Sequence, residues 1–329
     1  MAETVSKVGL KMVEKVVSKP KVAIVGAGFV GSTLAYSLLI HGLVSQIVVI
    51  DVNTERAEGE VMDLNHGLPF ANPVKIGVGD YSDCRNADIV VIAVDKGQKI
   101  ETSRLELAAG NFELLKQIIP KITEYNKECI LLVVSNPLDV MTYAALKLSG
   151  FPKNRVIGSG TVLDTARLRY LLGEYLQVDP RNVHAYIIGE HGDSEVPVWS
   201  LANVAGIRLR DYCPICKVPY NFEHFNGLFL KVRNAGYEII KRKGRTNYAV
   251  ALGLTKIVES IIRDENAVLT VSCFLQNYHG VSDVCLSVPV ILNRSGIKEI
   301  IELPLDEKEM QDFQKSAAIV KEVNSSLGL

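Results

Sequence analysis

The sequence shows no excess of either charge sign: 36 Lys and Arg face 37 Asp and Glu, for a formal net charge of −1. Such a balance offers no basic surface for nucleic acid or an anionic membrane. Long apolar runs are also missing, since none reaches the roughly 18 residues that read as a membrane helix. The first 20 residues contain no Arg and no apolar stretch, and Lys7, Lys11, Lys15 and Lys19 interrupt them. Neither a secretory signal nor a mitochondrial presequence is therefore expected. Cysteine is scarce: of six residues only Cys213 and Cys216 form a CxxC pair. No second pair completes a zinc site, so no metal is expected, and the thiols fit a reducing compartment. Internal repeats and low-complexity tracts are absent. These absences lead to the expectation of a soluble, cytoplasmic protein without nucleic-acid or membrane partners.

What is present is a hydrophobic content of 48% over 329 residues, enough for large cores and for two domains. Within residues 1–20, Val5, Val8, Met12, Val13 and Val16 fall at helical spacing between the lysines. This predicts an amphipathic arm that packs on the body or on a neighbouring subunit. From Lys21 the pattern changes. Short β-branched apolar runs at 21–25, 46–50, 87–94 and 130–134 alternate with helical stretches such as 32–40 and 104–125. Near-continuous apolar strands separated by helices predict a parallel sheet covered on both faces. Beyond about Gly158 the rhythm becomes irregular. Helical stretches at 161–176, 223–241 and 249–263 mix with strands at 183–188 and 268–274, which predicts a second, α+β domain over 159–329.

Gly26, Gly28 and Gly31 lie in VGAGFVG, directly after the first strand and at the start of a helix. The first glycine permits a tight turn, the second lets the backbone approach a pyrophosphate, and the third lets helix and strand pack closely. The helix N-terminus offers free N–H groups and a positive dipole end to the phosphates. Asp51 follows the second strand, 20 residues after Gly31, at the spacing of a carboxylate that binds ribose hydroxyls. That carboxylate would repel a 2′-phosphate, which favours NAD over NADP. The first domain, 21–158, is thus expected to be of Rossmann type, doubly wound α/β, with Phe29 and Val30 of the same turn at the cofactor.

Four further segments carry polar groups that structure alone does not require. They are Ser135-Asn136-Pro137, GTVLDTAR at 160–167, GEHGDS at 189–194, and the stretch from Gln98 to Arg104. On these motifs the chain resembles the lactate/malate dehydrogenase family, and within it the L-lactate dehydrogenases, from about Lys21 to the C-terminus. The resemblance implies that His191 is the acid–base group, a task suited to a side chain that titrates near neutrality. It implies that Asp164 orients and stabilises the imidazole, and that Arg167 holds the substrate carboxylate with two parallel bonds. The alternatives for the residues alone are a helix cap or surface charge for Asp164, and an i,i+3 surface pair for Asp164 with Arg167. Arg104 would enter as a loop closes and polarise the substrate carbonyl. Asn136 would donate to the substrate oxygen and border the cofactor together with Gly97, and Thr246, in KGRTNY, would line the pocket beside the substrate methyl.

Gln98 lies six residues before Arg104, where malate dehydrogenases carry Arg. A neutral amide does not offset a second carboxylate, so pyruvate and L-lactate are the expected substrates. The alternatives are malate or another L-2-hydroxy acid, and an inactive NAD-binding assembly module. Asp95 and Lys96 stand where the family usually has Gly and Ala, and Ile100-Glu101 replaces a usual Pro-Gly. If the first of these positions has positive φ, Asp95 would be strained. Arg169 and His184 match the bacterial lactate dehydrogenases activated by fructose 1,6-bisphosphate. That resemblance implies an allosteric anion site between subunits of a homotetramer.

Overall fold

The β-branched runs become strands because each is buried on both faces, and the helices between them cover those faces. The structure, a computed structural model, describes residues 20–96 and 104–329, with only the backbone of Arg104. The N-terminal arm lies outside the described residues. The first half runs β1 (Lys21–Val25), α1 (Phe29–His41), β2 (Gln46–Ile50), α2 (Thr54–His66), β3 (Lys75–Val78), β4 (Ile89–Ile92), α3 (Arg104–Tyr125), β5 (Ile130–Val133), α4 (Leu138–Ser149) and β6 (Val156–Gly158). The second half opens with α5 (Val162–Leu176) and five two-residue strands: β7 (Val183–His184), β8 (Ile187–Ile188), β9 (Val196–Pro197), β10 (Asn203–Val204) and β11 (Ile207–Arg208). It continues through α6 (Leu209–Ile215), α7 (Phe222–Lys243), α8 (Tyr248–Ile262), β12 (Ala267–Leu275), β13 (Val284–Asn293), β14 (Gly296–Ile300) and α9 (Glu307–Ser326).

Among the described residues the main sheet has nine strands in the order β14-β13-β12-β6-β5-β4-β1-β2-β3. From β6 to β3 all neighbours are parallel, whereas β12, β13 and β14 are antiparallel. The chain moves outward from β1 through β2 to β3, then returns to place β4 on the other side of β1. That reversal opens a crevice at the carboxyl ends of β1 and β4, the place where open α/β sheets bind ligands. The sheet does not stop where the first half ends: Gly158 of β6 pairs with Ser272 of β12. One hydrophobic core accordingly runs from Val22 and Ile89 to Leu292 and Phe313. A second, smaller core gathers Leu168, Leu172, Val183 and Phe225.

Two strand expectations need correction. The run at 183–188 is not one strand, because β7 pairs with β10 while β8 pairs with β9. The break has a cause: the Ala185 carbonyl accepts from Arg169 Nε at 3.0 Å instead of from a strand neighbour. The strand expected at 87–94 is shorter: β4 covers Ile89–Ile92, and residues 93–96 have no regular structure. No helix among the described residues is long and apolar enough to cross a membrane.

The turn after β1 is tight enough to exclude side chains. Gly26 has φ +110°, and a Cβ on Gly31 would fall 1.9 Å from the Gly26 carbonyl oxygen. Gly31→Ala must push α1 away from β1. Strain of this kind typically costs about 1–3 kcal/mol, so the urea midpoint should fall clearly. An unchanged midpoint would show that the turn tolerates the methyl.

Candidate active site

His191 lies in the loop between β8 and β9, and its backbone is fixed from three sides. Gly189 exchanges two hydrogen bonds with Ser287 of β13, each 2.8 Å. The Glu190 N–H donates to Ser316 Oγ of α9 at 2.9 Å. The His191 N–H donates to Asp139 Oδ2 of α4 at 2.7 Å, and Asp139 Oδ1 accepts from the Ser272 hydroxyl at 2.6 Å. Asp139 is only 1% exposed. Sequence reasoning missed it, although an acid inside an apolar helix was a signal: buried charges persist only when they are bonded.

The imidazole is fixed as firmly. His191 Nδ1 lies 2.6 Å from Asp164 Oδ2, and Arg167 Nη1 donates to Asp164 Oδ1 at 2.9 Å. Asp164 is buried, so the surface-pair alternative does not hold. Burial opposes ionisation of Asp164, but His191 and Arg167 outweigh it and keep the carboxyl below its usual range. Burial would likewise lower His191. The Asp164 charge and hydrogen bond reverse that, with a smaller contribution from Asp139, and hold the imidazole at about 9.

These groups face a cavity of about 480 Å³ that also reaches Asn136, Thr246 and Val30. Two charged residues that the sequence did not single out, Glu195 and Arg233, line it as well. Both sit beside recognisable segments, Glu195 directly after GEHGDS, but neither carries a spacing signal. Arg169 and His184 lie away from this cavity. Arg169 stacks its guanidinium 5.2 Å from the Tyr186 ring centre and bonds the carbonyl of Ala185, which places it next to the exposed His184.

The crevice fits a dinucleotide. Gly28 caps α1 without a side-chain bond, and a Cβ added to it would meet nothing within 4 Å among the described residues, which leaves the backbone open to a phosphate. Asp51 directly follows β2 and accepts from the Ala27 N–H at 2.6 Å and the Asn53 N–H at 2.8 Å. Its lone pairs suffice for ribose hydroxyls as well. Phe29 is exposed, with Arg245 3.5 Å and Arg56 5.3 Å from its ring centre. Asp95 corrects the expectation of strain: neither it nor Lys96 has positive φ. Instead Asn111 of α3 accepts from the Lys96 N–H at 2.9 Å and donates to the Asn136 carbonyl at 2.7 Å. Gly97, Gln98, Ile100, Glu101 and the Arg104 side chain lie outside the described residues. Among the described residues no group of three or more His, Cys, Asp or Glu is placed to hold a metal ion.

Comparison with known families agrees with this layout. Residues 20–158 match the NAD binding domain of lactate/malate dehydrogenase, and residues 161–326 match its alpha/beta C-terminal domain. The chain belongs to the lactate/malate dehydrogenase family. It is 56% identical to the L-lactate dehydrogenase of Acetivibrio thermocellus, over 94% of this chain and 98% of that protein. Identity to L-lactate dehydrogenase 1 of Clostridium acetobutylicum is 49%, over 93% and 98%. Among solved structures, a lactate dehydrogenase from a Medee basin deep-sea metagenome library superposes with TM-score 0.91 at 42% identity, covering 95% of this chain and all of that one (100%). The minor L-lactate dehydrogenase of Enterococcus mundtii, in a ligand-bound form, gives TM-score 0.90 at 39% identity over 94% and 98%.

For a lactate/malate dehydrogenase with this geometry, the proton affinity of His191 is set chiefly by one carboxylate. Asp164→Asn removes the charge but keeps a side chain of the same shape. The imidazole titration, followed by NMR, should fall by about 1–3 pH units, the range that an adjacent opposite charge produces. An unmoved titration would assign the high value to another group.

Proposed function

We propose that the chain catalyses the reversible reduction of pyruvate to L-lactate with NADH. The observation that supports it best is the convergence of His191, Asp164 and Arg167 on one cavity beside the glycine turn. NADH bound in the crevice supplies the hydride. The residues of the chain do the rest. Arg167 spends one nitrogen on Asp164 and keeps its other donors for the substrate carboxylate, in the planar fork that Lys lacks. His191, anchored through Nδ1, carries on Nε2 the proton that passes to the forming alkoxide, and Asp164 stabilises the imidazolium. Asn136 donates to the same oxygen, and Thr246 borders the methyl. Arg104 polarises the carbonyl, and the neutral Gln98 selects a monocarboxylate. NADH oxidation with pyruvate, oxaloacetate and 2-oxoisocaproate side by side tests the assignment, and a preference for oxaloacetate would overturn it. Arg167→Lys should raise the pyruvate KM steeply, since truncating a buried charge pair costs about 2–5 kcal/mol. NADH affinity, read by fluorescence titration, should stay close to its starting value; equal loss of both would point to a folding role.

We also propose a cytoplasmic homotetramer with an allosteric anion site at Arg169 and His184. Apolar side chains left exposed on α1 and α8 (Tyr36, Ile40, Tyr248 and Leu252) support a subunit interface. The adjacency of Arg169 to His184 supports the anion site. Symmetry-related pairs meeting across an axis repel one another, and a bisphosphate offsets them. Activation requires that the ligand favour the active arrangement. Fructose 1,6-bisphosphate should lower the pyruvate KM, and high salt should weaken the effect. Arg169→Gln should abolish the effect. A pyruvate curve unchanged by the bisphosphate would sink the idea.

A further inference from the structure

Glu195 has no part in the steps above, yet it lies in the same cavity wall. It is 6% exposed, and its Oε1 is sealed from solvent with no hydrogen-bond partner among the described residues. An ionised carboxylate in that position would be strongly penalised, whereas a neutral acid is tolerated. The charged and titratable groups that act on it come from three elements: Asp164 and Arg167 of α5, Arg233 of α7, and His191 of the β8–β9 loop. Asp139 of α4 stands behind that loop, bonded to the His191 N–H. Burial first, and the Asp164 charge second, hold the Glu195 carboxyl far above the usual carboxylate range, and the three cations only partly offset this.

We infer that Glu195 is a proton-holding positioning residue of the substrate site: neutral, it leaves the field of Arg167 and Arg233 to a substrate carboxylate, and ionised, it takes that place itself. The inference rests on the proposal that the cavity receives a monoanionic 2-oxo acid. Its logic is a charge count. With Asp164 ionised and His191 protonated, Arg167 and Arg233 face an acid that contributes no charge, and an incoming carboxylate meets net attraction. When Glu195 loses its proton, the same two guanidiniums face an internal carboxylate, and a second anion must enter against it. Anion binding to the ionised form therefore takes up one proton at Glu195, in addition to the proton required on His191. Glu195 takes no part in the proposed hydride or proton transfer. It sets the pH range over which the cavity accepts an anion.

Two measurements test this separately. Infrared difference spectra of the substrate-free protein near neutral pH, unmodified minus Glu195→Gln, should show the carbonyl band of a protonated carboxylic acid. Loss of ionised-carboxylate bands instead would overturn the inference. The second measurement follows proton uptake as oxamate, a shape analogue of pyruvate, binds to the NADH-loaded protein in dilute buffer. Above the His191 value of about 9, uptake should approach about two protons per site in the unmodified protein and about one in Glu195→Gln. Equal uptake in both would overturn the inference, and a purely packing role would not alter the count. Pyruvate turnover at neutral pH is scored independently, so failure of the proposed activity and failure of the Glu195 assignment give different results.

Discussion

One buried carboxylate, Asp164, holds two cations at once, and the chemistry of the cavity depends on that sharing. Its two oxygens take Arg167 and His191 on opposite sides. Each cation makes the burial of the acid tolerable, and the acid in turn orients each cation. Remove the acid and a guanidinium and an imidazole would compete for desolvated space without compensation. Because Asp164 and Arg167 sit three residues apart on one helix, their relative position is set by helix geometry rather than by loop packing.

A second buried acid does for the backbone what Asp164 does for the side chains. Asp139 is held in α4, beneath the sheet, and ties the His191 N–H to Ser272 of β12. The acid–base residue thus stands on a loop, where chemistry is accessible, while its main chain is anchored in the core. Asn111 performs a similar service across the crevice. Fully buried, it bridges the chain leaving β4 to the chain leaving β5. That bridge also shows how Asp95 and Lys96 are held where smaller residues are usual: Asn111 bonds the Lys96 N–H, and neither residue takes a left-handed conformation.

The parallel half of the sheet was legible because burial on both faces writes itself as unbroken β-branched runs, as at 46–50. The break inside 183–188 was not, since it depends on a guanidinium from another helix reaching Ala185. The glycine turn was legible because each glycine answers a steric demand within a few residues. Asp139 and Glu195 were not, because their meaning lies in partners far along the chain; Asp139 and His191 are 52 residues apart. A single acid in an apolar stretch announces that it must be compensated, but not by what. The strain expected at Asp95 followed from a backbone angle that sequence does not encode directly.

The pairing of Gly158 with Ser272 has a consequence for motion. A sheet that runs unbroken through both halves, with one core beneath it, cannot open like a clamshell without tearing strand pairs and exposing packed surface. Rigid-body swinging of one half against the other is thereby closed off as a route into the cavity. Entry and exit of a small anion fall to short segments at its rim, so the entropy lost on capture is that of a few residues rather than of two lobes.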